Sequence, residues 1–144
     1  MLMKKQLAEF IGFTLIELLI AIAILGILSS VAYPYYNNAV MQSRRVDAIN
    51  TLIQLQMEQE KYRVHNPSYA TDLSQLPVRK SKNEYLSQEG RYSIKLIAGN
   101  SIGFEIIATP VADGIQHKDI CQLFSISQDG PVIDSDEQRR CWNL

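Results

Sequence analysis

The alternation of apolar and polar positions divides this chain into three stretches. From Phe13 to Tyr33 nearly every residue is apolar, and the one charge in those 21 positions is Glu17. A helix of that length rises about 32 Å, enough to cross a hydrocarbon core of about 30 Å. From Asn37 to about Arg63 the pattern becomes amphipathic. Ala39, Val46, Ile49, Leu52, Ile53 and Met57 recur at spacings of three, four and seven. This predicts that the helix continues and lays an apolar stripe on a sheet. Pro34 lacks a backbone donor and clashes with the preceding turn, so a kink is expected near it.

Beyond the helix the period shortens to two. Asn66-Pro67 marks the helix end, and His65 to Gln88 reads as a loop in which Tyr69, Leu73 and Leu76 plug into the core. Arg91 to Ala98 alternates, with Tyr92, Ile94 and Leu96 on one face. Gly99-Asn100-Ser101-Ile102-Gly103 is turn chemistry, and Phe104 to Thr109 alternates again. A third strand is expected over Ile120–Ser127 and a short fourth near Val132-Ile133, after the Asp129-Gly130 turn. The predicted fold class is α+β, one long N-terminal helix packed on an antiparallel sheet of about four strands. The predicted divisions are a leader over 1–12, a membrane helix over 13–36, and a head over 37–144 that includes the amphipathic half of the helix.

Glu17 needs an explanation. A carboxylate in an apolar helix is costly without a partner, by roughly 2.5–3.5 kcal/mol at a bilayer centre. The residues before the run carry Lys4 and Lys5 and end in Gly12. A secretory signal would be cut after its apolar region. Here the expected cut precedes it, at Gly12-Phe13. Cleavage there retains the helix and creates an amine at Phe13, a natural partner for Glu17 of a neighbouring chain.

The run Gly12-Phe13-Thr14-Leu15-Ile16-Glu17-Leu18-Leu19-Ile20 resembles the start of the type IV pilin family, which includes minor pilins and the pseudopilins of type II secretion. The similarity continues from Ala21 to Leu28 and through Ala32-Tyr33-Pro34-Tyr35, about a quarter of the chain. It implies a prepilin with a class III-type signal, cut after Gly12 by an inner-membrane prepilin peptidase and methylated at the Phe13 amine. It also implies single-pass storage in the bacterial inner membrane and assembly by inner-membrane pilus machinery. Other pilin subunits become the partners of an extracellular pilus, with the head periplasmic and then extracellular. Tyr33, Tyr35 and Tyr36 fall where an aromatic membrane belt would lie.

Charge and cysteine usage sharpen this. Without Lys4, Lys5 and Glu9, the 14 basic and 15 acidic residues become 12 and 14, a formal net charge of −2. That is no general nucleic-acid signature. The only cysteines are Cys121 and Cys141. A head outside the inner membrane sits in an oxidising compartment, where one disulfide is expected. The pair resembles the disulfide-closed C-terminal loop of pilins and disfavours a pseudopilin, whose major form typically uses calcium there.

No phosphate loop, nucleophile elbow or paired catalytic carboxylate is present, so neither an enzyme nor a cofactor is expected. His65 and His117 are far apart in sequence, and Asp129, Asp134, Asp136 and Glu137 lack the spacing of a calcium loop. They read as a solvated acidic turn. The dense basic patch Arg79-Lys80-Ser81-Lys82 is a DNA-contact candidate, joined by Arg139 and Arg140 if the fold brings them together. Few cations on a net-acidic chain predict weak binding or none at physiological salt. The expected function is therefore a structural minor pilin that takes part in pilus assembly. The alternatives are a DNA-binding minor pilin for natural transformation and a minor pseudopilin.

Overall fold

The computed structural model describes residues 13–81 and 83–144. Gly12 and Lys82 lie outside the described residues. Two compact units are distinguished, one ending at Asn37 and one spanning Asn38–Leu144. Helix α1, Leu15–His65, contributes to both.

In the first unit α1 is the one helix, among the described residues, long and apolar enough to cross a membrane. The large apolar side chains from Phe13 to Tyr36 are exposed. Pro34 is accommodated inside the helix, which continues to His65. Asn66 closes the far end through Nδ2, which donates to the Tyr62 carbonyl at 2.8 Å. Arg63 Nη1 donates to the Asn66 carbonyl at 3.1 Å, and Pro67 prevents further helix.

The second unit is an antiparallel meander over which the C-terminal half of α1 packs. Its strands are β1 Arg79–Ser81, β2 Glu84–Leu86, β3 Tyr92–Gly99, β4 Phe104–Pro110, β5 Phe124–Ser127 and β6 Gly130–Pro131. They follow one another across the sheet in chain order. The sheet therefore has six strands rather than about four. The segment expected as loop to Gln88 contains the β1–β2 hairpin, whose polar residues give no apolar alternation. It is recruited by pairing of Tyr85 with Ile94 and Leu86 with Ser93. The third expected strand shortens to β5, and the last lies at Gly130–Pro131 rather than at Val132-Ile133.

The core joins Leu52 and Leu55 of α1 to Tyr92, Ile94, Ile106, Ala108, Phe124 and Ile126 of the sheet. Period-two burial on β3 and β4 supplies the sheet side. Leu73 and Leu76 are buried as expected, and Tyr69 packs edge-on against Phe104, with ring centroids 5.0 Å apart.

The stripe read from sequence needs correction. The buried face of α1 is Asp47, Ala48, Thr51, Leu52, Leu55 and Gln59. Val46, Ile53 and Met57 are exposed, and so is Ala39. At about 100° per residue, Val46, Ile53, Met57 and Val64 form a second apolar line opposite the buried one. The sequence pattern merged two faces into one.

The C-terminus also differs from expectation. The acidic turn opens a short helix, α2, Asp136–Cys141, capped by Ser135 Oγ accepting from the Gln138 N–H. Asp136 and Glu137 occupy its first turn and Arg139 and Arg140 its last, each at the end its charge favours. Cys141 is disulfide-bonded to Cys121, with Cα atoms 5.8 Å apart. Trp142 then stacks edge-on against Phe124, which meets Tyr92 in the same way; both centroid distances are 5.8 Å.

Candidate functional site

Three places carry chemistry beyond packing. The first is the start of α1. Glu17 Oε2 accepts from the Thr14 N–H at 3.1 Å and from Thr14 Oγ1 at 2.9 Å. Thr14 Oγ1 accepts in turn from the Glu17 N–H at 3.2 Å. This is a reciprocal capping box, and its Thr-x-x-Glu spacing was legible in the sequence as a helix-start signal. Sequence reading gave Glu17 only a partner on another chain and missed Thr14. Phe13 is exposed beside it.

The second place lies where the β4–β5 connection meets α1. Arg45 grips Asp119 with two bonds, Nε to Oδ2 at 2.8 Å and Nη2 to Oδ1 at 2.6 Å. Their side chains are 11% and 2% exposed. Gln116 Nε2 donates to Asp119 Oδ2 at 2.9 Å and to the Met41 carbonyl at 2.8 Å. Burial by itself raises the Asp119 carboxyl. The Arg45 bonds, the Cys121 and Ile120 N–H groups and the Arg45 charge outweigh it and hold the carboxyl below its ordinary range. Nothing local in the sequence marks this pair, whose partners are 74 residues apart.

The third place is the basic edge. Arg79 and Lys80 sit exposed on β1, the first strand of the sheet. Arg79 Nη1 donates to the Gln88 carbonyl at 2.9 Å. Lys80 Nζ lies 5.4 Å from the centroid of the Tyr85 ring, a cation–π distance. Tyr85 and Lys95 line one groove of about 440 Å³, together with Ser93, Thr109, Glu84 and Asp113. Lys95 was missed because it is a lone cation in an alternating strand. Arg139 and Arg140 are exposed on α2, which the disulfide ties to the segment before β5. Strands β1 and β5 are four spacings apart, about 19 Å. Arg79 and Lys80 thus lie on the first strand, whereas Arg139 and Arg140 lie on α2, outside the sheet.

Comparison with known proteins places this arrangement. The family model described as "Type IV minor pilin ComP, DNA uptake sequence receptor" matches residues 34–125. The chain belongs to this family of type IV minor pilins. A second model, the prokaryotic N-terminal methylation motif, matches residues 11–33 of the minor pilin. A curated relative, fimbrial protein EcpC of Eikenella corrodens, is 50% identical over 48 residues. That match spans 33% of this chain and 30% of the relative's length. A solved type IV pilin from Shewanella oneidensis is 23% identical, with a TM-score of 0.45, covering 67% of this chain and 94% of that one. The minor-pilin match and the methylation motif thus lie end to end, covering residues 11–125 of the chain.

Proposed function

We propose that this minor pilin is a DNA receptor carried on a type IV pilus, and that DNA meets it along the β1 edge. The match of the head to a family whose description names a DNA uptake sequence receptor carries this reading. The cations Arg79, Lys80 and Lys95 around Tyr85 support it, with Lys82 next to them in sequence. Phosphates would take the cations, and Tyr85 offers an aromatic face beside them. Glu84 and Asp113, in the same groove, limit how much negative charge it accepts.

The rest of the life cycle follows from the pilin start. The chain is held as a single span of the inner membrane with its head outside, cut by the prepilin peptidase between Gly12 and Phe13, and methylated at Phe13. Glu17 then pairs with the Phe13 amine of an adjacent subunit, and a wrong register leaves a buried charge without a partner. The exposed line Val46, Ile53, Met57 and Val64 supports packing against other pilins.

The test is fluorescence polarisation of a labelled duplex with the Asn38–Leu144 unit at 50 and 200 mM salt. Three phosphate contacts give a slope of log K against log salt of about −2.7, and hence about a 40-fold loss between the two conditions. Lys80→Ala should lower that slope by about 0.9, and Arg140→Ala should leave it unchanged. Absence of binding at 50 mM salt, or a slope indifferent to Arg79 and Lys80, refutes the reading.

A further inference from the structure

The β4–β5 connection, residues 111–123, is fastened to α1 at two points. Gln116 Nε2 donates to the Met41 carbonyl at 2.8 Å, and Asp119 takes both bonds from Arg45. Among the described residues, Met41 and Arg45 are the first along α1 whose hydrogen bonds reach the rest of the head. Asp47, Thr51, Gln56 and Gln59 follow. The connection therefore sits at the start of the head's share of α1. The β3–β4 turn sits at the opposite end, where the Asn100 carbonyl accepts from the Tyr69 N–H just past the helix. Gln116, Asp119 and Cys121 are buried, which leaves Ile115, Lys118, Ile120 and Leu123 facing solvent. Ile120 is 67% exposed. Asp113 is an exposed acid of the connection, and Asp119 is already paired with Arg45.

We propose that, before the subunit enters a pilus, this connection rests on the surface of an anionic bilayer. This depends on the reading under Proposed function that the chain spans the membrane once with its head outside. Only five residues lead from Tyr36, at the end of the apolar run, to Met41. They rise about 8 Å as helix and reach at most about 18 Å in any conformation. Head groups extend about 5–8 Å beyond the hydrocarbon core on each side. The segment fastened to Met41 and Arg45 thus stays within reach of the head groups, whereas the β3–β4 turn is tied beyond the far end of α1. Ile115 and Ile120 offer apolar side chains to the boundary of head groups and acyl chains, and Lys118 offers an ammonium to lipid phosphates. The buried anchors order the connection in advance, so little freedom is lost on contact. A nucleic acid would take Lys118 and leave the isoleucines in water. A purely apolar partner would leave Lys118 without a counter-ion. An anionic bilayer accommodates both.

The test uses the full-length protein reconstituted in vesicles of phosphatidylcholine, or of phosphatidylcholine and phosphatidylglycerol in equal parts. Lipid brominated near the top of its acyl chains quenches any tryptophan close to it. Ile120→Trp, Ile102→Trp and Ile27→Trp are compared, and the parent corrects for buried Trp142. Ile27→Trp, in the apolar run, should be quenched in both lipids. Ile120→Trp should be quenched in the mixture and much less in phosphatidylcholine. Ile102→Trp, at an 87% exposed position on the β3–β4 turn, should be quenched in neither. Adding Lys118→Gln to Ile120→Trp should lower the ratio of contacting to free connection about fivefold, the factor for one basic residue near an anionic surface. Unquenched Ile120→Trp beside quenched Ile27→Trp overturns the lipid contact and leaves the span standing. Unquenched Ile27→Trp overturns the span and the contact with it. Equal quenching of Ile120→Trp and Ile102→Trp, or of Ile120→Trp in the two lipids, also overturns the proposal, because place on the head or head-group charge would then not matter.

Discussion

Removing one partner of the Arg45–Asp119 pair should unfold the head at a far lower temperature. Asp119→Ala deletes the acceptor of two Arg45 bonds, at 2.8 and 2.6 Å, and of one Gln116 bond at 2.9 Å. Gln116 retains the Met41 carbonyl, but Arg45 is left largely buried with its charge uncompensated. Breaking a buried pair in this way costs about 3–5 kcal/mol. For a domain near 100 residues each kcal/mol moves the melting temperature by about 4–8 °C, so a fall of at least about 12 °C is expected. The joint replacement Arg45→Met with Asp119→Leu removes both charges and should recover most of that loss. The pH dependence has a defined sign. The Asp119 carboxyl is held below its ordinary value in the folded state, so its contribution is complete above the unfolded value near 4. It is lost as pH falls through the folded value. Thermal melts of the Asn38–Leu144 unit, followed by circular dichroism at pH 7 and on acidification, read both effects. An Asp119→Ala head that melts within two or three degrees of the parent at about pH 7, with an unchanged acid limb, would refute this account.

Two further perturbations test the packing. Gly99 faces the Ala70 carbonyl so closely that an added Cβ would overlap it. Gly99→Ala should therefore displace the segment around Ala70 and lower stability by about 1–3 kcal/mol in a denaturant titration; an unchanged midpoint would count against that contact. Burial, with help from the Asp119 charge, pushes the Tyr92 hydroxyl up to about 12. Its raised folded value means stability is complete below about pH 10 and is lost as pH rises toward 12. Tyr92→Phe should flatten that alkaline limb in melts between the two values, and an unaltered limb would assign the loss to other groups.

The legible parts of this fold are those with long-range periodicity or local turn chemistry. The apolar run, the β3–β4 hairpin around Asn100 and the plugs Leu73 and Leu76 could all be read directly. In the hairpin Asn100 Oδ1 accepts from the N–H groups of Ile102 and Gly103 at 2.7 and 3.0 Å, as turn composition suggests. Three features were not legible. A helix with apolar residues on two opposite faces gives a pattern that a single-stripe reading conflates, and burial alone sorts Leu52 from Ile53. Strand β1 is three polar residues, held by its neighbours rather than by propensity. The Arg45–Asp119 pair depends on a contact across most of the head, whereas the Thr14–Glu17 cap was local and visible but was eclipsed by the membrane cost of the charge.

The polar joints between α1 and the rest of the head are made mostly of side-chain amides. Gln56 Nε2 donates to the Ser127 carbonyl at 3.0 Å. Buried Gln59 takes both sides of one residue, accepting from the Ala70 N–H at 2.8 Å and donating to the Ala70 carbonyl at 3.2 Å. Gln116 Nε2 reaches the Met41 carbonyl at 2.8 Å. Amides do not titrate and are little affected by salt, so these joints hold across conditions that weaken exposed ion pairs. Two buried carboxylates interrupt the pattern. Asp47 accepts from Ser87 Oγ at 2.6 Å and from the Glu89 N–H at 3.1 Å, and Asp119 pairs with Arg45. Acid should therefore loosen the β4–β5 connection first, where Asp119 is held below its ordinary range, while the Gln59–Ala70 joint persists. Salt should act mainly on the exposed cations of the β1 edge, where the proposed ligand binds, and leave the joints that support that edge in place.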